Sequence, residues 1–182
     1  VPLGVPEVPL GRDLNVFPGE LLANPTEASL FDHLHGLLDL LRFVDHAVAL
    51  SRQPDTIITT FGDMMRVPGS GSSLLEEKAR GGDIRIVYSA LDAVKLAEDN
   101  PPQQIVLLGV GFETTTPTVA GAILRAGSLH LENFTVLCAH KTMPAPMAAL
   151  TSDPELQIDG YICPAHVSTI IGTQAYLPLA EE

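Results

Sequence analysis

The chain has 182 residues, 46% of them apolar and 18% charged, with a mean hydropathy of +0.24. That supports one ordinary domain or two small ones and argues against a disordered chain. A net charge of −12, a pI near 4.7 and the lack of any Lys/Arg-rich run argue against a nucleic-acid or anionic-membrane surface. An acidic surface suits plain solubility first, and cationic ligands, metal ions or basic partner patches second.

No apolar stretch approaches the roughly 18 residues of a membrane span. No basic-then-apolar leader is visible, and the chain opens on Val rather than Met, as a fragment would. Two cysteines, Cys138 and Cys163, make no disulfide framework, so a reducing cytoplasm is the expected setting.

Residues 1–28 are rich in Pro and Gly and read as an irregular N-terminal arm. Thr26 or Ser29 is placed to cap the first helix. From Leu30 the steps of four and three through Leu34, Leu37, Leu41, Val44 and Val48 mark one apolar helix face. Gly36 is a candidate break, and Pro54 closes the segment.

Strands and helices then alternate. "TIITTF" (56–61) reads as strand, "SLLEEKAR" (73–80) as helix, "IRIVYS" (84–89) as strand and "LDAVKLAED" (91–99) as helix. "QIVLLGV" (104–110) is strand, and "TPTVAGAILRAG" (116–127) is helix, with Pro117 in its first turn and Gly127 past its end. Val119, Ile123 and Ala126 are expected on its inner face. "FTVLCAH" (134–140) is strand, "PAPMAALTS" (144–152) helix and "DGYICPAH" (159–166) a fifth strand, with a helix from Val167. Strands that are apolar on both faces and alternate with helices predict an α/β fold, a parallel sheet with helices on both faces. Residues 29–182 form this region, with a candidate division into two small halves near 90–102.

Ligands in such sheets bind beyond the carboxyl ends of the strands. Four of the five predicted exits carry Thr, Ser, His, Asp, Glu or Lys. "RVPGSGSS" (66–73) reads as an anion cradle or a capped turn, and Asp63 and Arg66 as site residues or a structural ion pair. Glu113 serves either as a hydrogen-bonding or acid/base group or as a favourable charge at a helix start. Thr114, Thr115 and Thr116 exceed the one hydroxyl that a cap needs. Lys141 reads as an anion ligand or a solvated side chain. Cys138-x-His140 and Cys163-x-x-His166 have the spacing of soft-metal ligands, and equally that of small buried strand residues.

Four segments, "TTFGDMMRVPGSGSSL" (59–74), "GFETTTPTVA" (111–120), "HKTMPAPMAAL" (140–150) and "DGYICPAHVSTIIG" (159–172), together resemble the hydrogenase maturation factor HypD family. The resemblance covers about residues 43–176. It implies two α/β domains around a cleft and a small iron–sulfur domain. It also implies that the iron centre with one carbonyl and two cyanide ligands, Fe(CN)2CO, is assembled together with HypC and HypE. Family cysteines in a CGGHT and a CPVC segment are implied in iron holding and redox chemistry, and a distal cysteine set in a four-iron four-sulfur cluster. None of these segments occurs in the 182 residues. "FDHLHGLLDLLR" (31–42) stands where the CPVC loop is expected, and Ala165 where the family favours Gly. The cleft residues that carry over are Asp63, Arg66, Ser70, Glu113, Thr114, Thr115, His140, Lys141, Cys163 and His166. The sequence therefore reads as a truncated or degenerate HypD-like protein with HypC-like and HypE-like partners and neither nucleic acid nor membrane. Its rivals are a non-catalytic binding module that keeps the fold, and a Cys/His metal-binding protein using Cys138, His140, Cys163 and His166.

Overall fold

The computed structural model describes residues 28–155 and 158–180, with side chains from Leu40 onward. Nearly all of the predicted arm over 1–28, the cap at Thr26 and the side chains of Ser29, Leu30, Leu34 and Leu37 lie outside what is described.

Helix α1 spans Ala28–Ser51 and runs through Gly36 without a break. Its buried stripe is Phe43, Val44, Ala47 and Val48, two pairs one turn apart, which is the spacing one helix face requires. Four strands follow: β1 (Thr56–Thr60), β2 (Ile84–Ile86), β3 (Gln104–Gly111) and β4 (Phe134–His140). All pair in parallel, in the order β2-β1-β3-β4. Between them lie α2 (Leu74–Ala79), α3 (Ala90–Asp99) and α4 (Thr116–Ser128). After β4 come α5 (Pro144–Thr151), α6 (Ala165–Ile171) and the short α7 (Leu177–Ala180).

The pleat sends alternate side chains to opposite faces, and both faces are covered. Ile58, Ile84, Val106 and Leu108 pack under α1 and Leu74 of α2. Ile57, Ile105 and Leu107 pack under α3 and α4. The α/β expectation is met because adjacent residues such as Ile57 and Ile58 feed different cores. No helix among the described residues is long and apolar enough to cross a membrane.

Several predicted bounds differ. β2 stops at Ile86 because the next residues start α3: Ser89 Oγ accepts from Leu91 N at 3.2 Å, and Ser89 N donates to Asp92 Oδ2 at 2.9 Å. That reciprocal cap uses groups a longer strand would have needed. α4 runs through Gly127 to Ser128, and its buried face is Val119, Ala122 and Ala126. Ile123, predicted inward, is 50% exposed, because the small alanines let α4 approach the sheet along the other side of the stripe.

The predicted fifth strand is absent among the described residues. Residues 158–164 carry no strand pairing, Ile162 is fully exposed, and Tyr161 is tied instead to α5 by a 3.1 Å contact between its OH and Thr151 Oγ1. An apolar run supplies the propensity for a strand, but the strand itself requires a neighbouring edge to pair with. Residues 165–166, assigned to that strand, instead begin α6.

Candidate functional site at the exits of β3 and β4

The connection from β1 to β2 passes over the α1/α2 face, and that from β3 to β4 over the α3/α4 face. The chain therefore leaves the neighbouring strands β1 and β3 on opposite faces, which makes a topological switch point at their carboxyl ends. The last β1–β3 partners are Thr59 and Leu107, whereas β3 and β4 stay paired as far as Gly111 and His140. The ends of β3 and β4 thus project beyond β1 and carry the polar corner.

Gly111 turns the chain out of β3 at φ +140°, and a Cβ there would run into Thr115 Oγ1. Glycine is required by both conditions. Thr115 and Thr116 donate their hydroxyls to the Phe112 carbonyl at 2.9 and 3.2 Å, and Thr118 Oγ1 donates to Thr115 O at 2.7 Å. These hydroxyls close the loop onto itself; Thr115 sits at the helix cap position without accepting a bond there. Thr114 is half-buried and takes no part in those bonds. Glu113 Oε1 accepts from Met143 N at 2.7 Å, while Glu113 Oε2 is buried with no partner among the described residues.

On β4, His140 lies over Gly109. A Cβ at Gly109 would sit 3.1 Å from His140 Cε1 and 3.0 Å from Val136 Cγ1, so the missing side chain makes room for the ring. His140 Nδ1 is 3.3 Å from Cys138 Sγ, and His140 Nε2 is buried with no partner among the described residues. Burial pushes the imidazole's pKa down from 6.5, which keeps the ring neutral near pH 7. Cys138 itself is exposed, contrary to the reading of a small buried strand residue. The amide of Lys141 donates to Gly111 O at 2.9 Å and completes the bond between the two exits.

The remaining sequence candidates lie elsewhere. Asp63 and Arg66 are exposed on a 3₁₀ turn, Gly62–Arg66, where Asp63 Oδ1 accepts from Met64 N at 2.9 Å. The Asp63–Arg66 ion pair does not occur among the described salt bridges. Ser70 is clamped onto Asp45 of α1, its amide to Oδ1 at 2.7 Å and its hydroxyl to Oδ2 at 2.6 Å. Those two bonds hold the Asp45 carboxyl below the usual carboxylate range. The Gly/Ser loop is thus a cradle for an anion of the chain itself, and Gly69 leaves no space for a Cβ between Asp45 and the Ser72 carbonyl. Cys163 is half-buried and His166 exposed at the start of α6. Among the described residues, no three His, Cys, Asp or Glu side chains converge as a metal site, so Cys138 and His140 are brought together without Cys163 and His166.

Sequence reasoning missed Asp45, which sat inside an apolar helix stripe, and Glu77. The Glu77 carboxylate is buried and accepts from Arg52 at 2.8 Å through both oxygens, and from Arg80 and Ser72 at 2.6 Å. These partners, Arg52 foremost, hold it far below the usual range. It lines a cleft of about 450 Å³ at the amino ends of β1 and β2, with Asp55, Asp83 and Gln103. That cleft is at the opposite edge of the sheet from Glu113 and His140. Its one buried carboxylate is already saturated, as in a structural ion cluster.

Comparison with known proteins agrees with the motifs. The HypD family model, described as "Hydrogenase formation hypA family", matches residues 41–182. The chain is 51% identical to "Hydrogenase maturation factor HypD2" of Bradyrhizobium diazoefficiens, over 76% of this chain and 38% of that protein. It is 50% identical to "Hydrogenase maturation factor HypD" of Rhodobacter capsulatus and 45% to that of Escherichia coli, in both cases over 76% of this chain and 37% of the relative. The chain thus spans under two fifths of the length of these relatives. Its match to the family model covers well over half of its residues, and the chain belongs to the HypD family.

Proposed function

We propose that this chain acts in nickel–iron hydrogenase maturation as one wall of the cleft in which the Fe(CN)2CO centre is assembled, together with HypC-like and HypE-like partners. The observation that carries this reading is the pair of buried polar atoms without partners among the described residues, Glu113 Oε2 and His140 Nε2, at adjoining strand exits. A buried polar atom without a bond costs about 1–3 kcal/mol, and such a cost concentrates where a ligand is to be bound. Both atoms lie in or beside segments that carry the resemblance, and the iron is cargo rather than a fixed part of this wall. Glu113, Thr114, His140 and Lys141 are the proposed lining, with Asp63 and Arg66 on the 3₁₀ turn after β1 and Cys163 and His166 around the start of α6 as further candidates outside this corner.

A four-iron four-sulfur cluster, which family membership implies, needs four thiolates. The 182 residues hold two cysteines, so the residues present do not fit it. The role proposed for them is scaffolding: binding, orienting and excluding water around the cargo.

The test is anaerobic co-purification of the chain with HypC-like and HypE-like proteins, followed by iron and sulfide analysis. Capture of either partner without a stoichiometric cluster supports the scaffold. Binding of neither partner favours the rival reading, a binding module that keeps the fold. A stoichiometric four-iron cluster on the chain alone overturns the scaffold role.

A further inference from the structure

We infer that Cys138 and His140 form a two-point site for a borderline-soft divalent metal ion, independent of the maturation reading and of Cys163 and His166. Residues i and i+2 of a strand share one face, and here both stand at the carboxyl end of β4, where parallel sheets present ligands. A sulfur about 2.3 Å and a nitrogen about 2.0 Å from one tetrahedral ion lie about 3.5 Å apart. The observed Sγ to Nδ1 separation is 3.3 Å, so one ion bridges the pair with little side-chain movement.

Three further observations fit. The sulfur is exposed, giving an ion access. Gly109 leaves the space in which the ring lies beside the sulfur rather than swinging away, and a pre-placed ring loses less freedom on binding. When Nδ1 holds a metal, Nε2 carries the proton. Nε2 is already buried, so the ring has only Nδ1 to offer an incoming ion.

Binding displaces the thiol proton to solvent and forms one S–metal and one N–metal bond; no electron is transferred. No third protein ligand converges among the described residues. The remaining positions fall to water or an incoming ligand. This is an open, exchangeable site, unlike a closed structural zinc site.

The test is titration of the reduced full chain with Co2+ alone under anaerobic conditions, reading the thiolate-to-cobalt charge-transfer band. The expected result is saturation at one ion per chain, loss of the band in Cys138→Ser, at least tenfold weaker binding in His140→Gln, and no change in Cys163→Ser. Each variant is melted by circular dichroism to verify folding. A second readout does not depend on the His140 variant folding. In Cys163→Ser, Zn2+ should slow iodoacetamide labelling of Cys138 at least tenfold. No band, a band surviving Cys138→Ser, a band lost equally in Cys163→Ser, or labelling indifferent to Zn2+ would each overturn the site.

Discussion

The backbone N–H of Met143 donates to Glu113 Oε1 at 2.7 Å and ties the loop after β4 to the loop after β3. Thirty residues apart in sequence, the two exits become one corner. Replacing Glu113 with Ala should cost about 0.5–1.5 kcal/mol, the net worth of a typical hydrogen bond. It should also speed hydrogen exchange at the Met143 amide. Glu113→Gln keeps the acceptor and should retain most of the stability. An Ala variant that melts like the parent would show that the tie is not structural.

Gly111→Ala should destabilise by about 1–3 kcal/mol, the typical cost of holding a non-glycine residue in a sparsely populated backbone region. Part of that cost is the collision with Thr115 Oγ1. Adding Thr115→Ala should recover the part due to the clash and leave the backbone strain of φ +140°. Denaturant melts of the two single variants and the double variant separate the contributions. Additive losses would mean that the two residues do not meet.

Asn133 is buried, and its Nδ2 lies 3.0–3.1 Å from the carbonyl oxygens of Ala97, Asn100 and Gln103. It pins the end of α3 and the turn into β3 to the start of β4. Asn133→Ala removes the side-chain donor from those carbonyls, of which Asn100 O keeps only the Gln103 N–H at 3.0 Å, and should cost about 1–3 kcal/mol. A urea midpoint equal to that of the parent would contradict this assignment.

Stability should fall with acidification in two stages. The folded-state pKa of His140 is depressed below 6.5, so as pH drops past 6.5 the unfolded chain takes up a proton that the folded chain refuses. Stability is therefore lost from about 6.5 downward to the lower folded value. His140→Gln should flatten that stage. The carboxyls of Glu77 and Asp83, held low mainly by Arg52 and Arg85, keep their contribution above their ordinary values of 4.5 and 3.8 and lose it on further acidification. Glu77→Gln should lower the Tm at pH 7 and make the acid stage shallower, measured by thermal melts between pH 3 and 8.

Much of the frame was legible in the residue order. β4 was placed residue for residue, and β1, β3, α2 and α3 fell within a residue or so of their predicted bounds, because a repeat of two or 3.6 is local to each segment. The candidate site was legible as a set of loops, from the excess of Thr, His and Glu after strands and from the four matching segments. Its internal roles were not. The threonine excess proved to be loop closure onto Phe112 O, and the cradle's anion proved to be Asp45, twenty-five residues upstream of Ser70.

The sequence by itself therefore determined the element types as far as α5, the two-sided burial of the strands and the family. The first two depend on short-range period, and the family on the four matching segments. Tertiary structure alone decided the order β2-β1-β3-β4, the unpaired state of residues 158–164, and the meeting of Glu113 with Met143. It also decided that the His140 ring lies over Gly109 beside Cys138. A strand needs a neighbouring edge and a buried polar atom needs a partner. Both come from residues distant in the chain, so no local pattern records them.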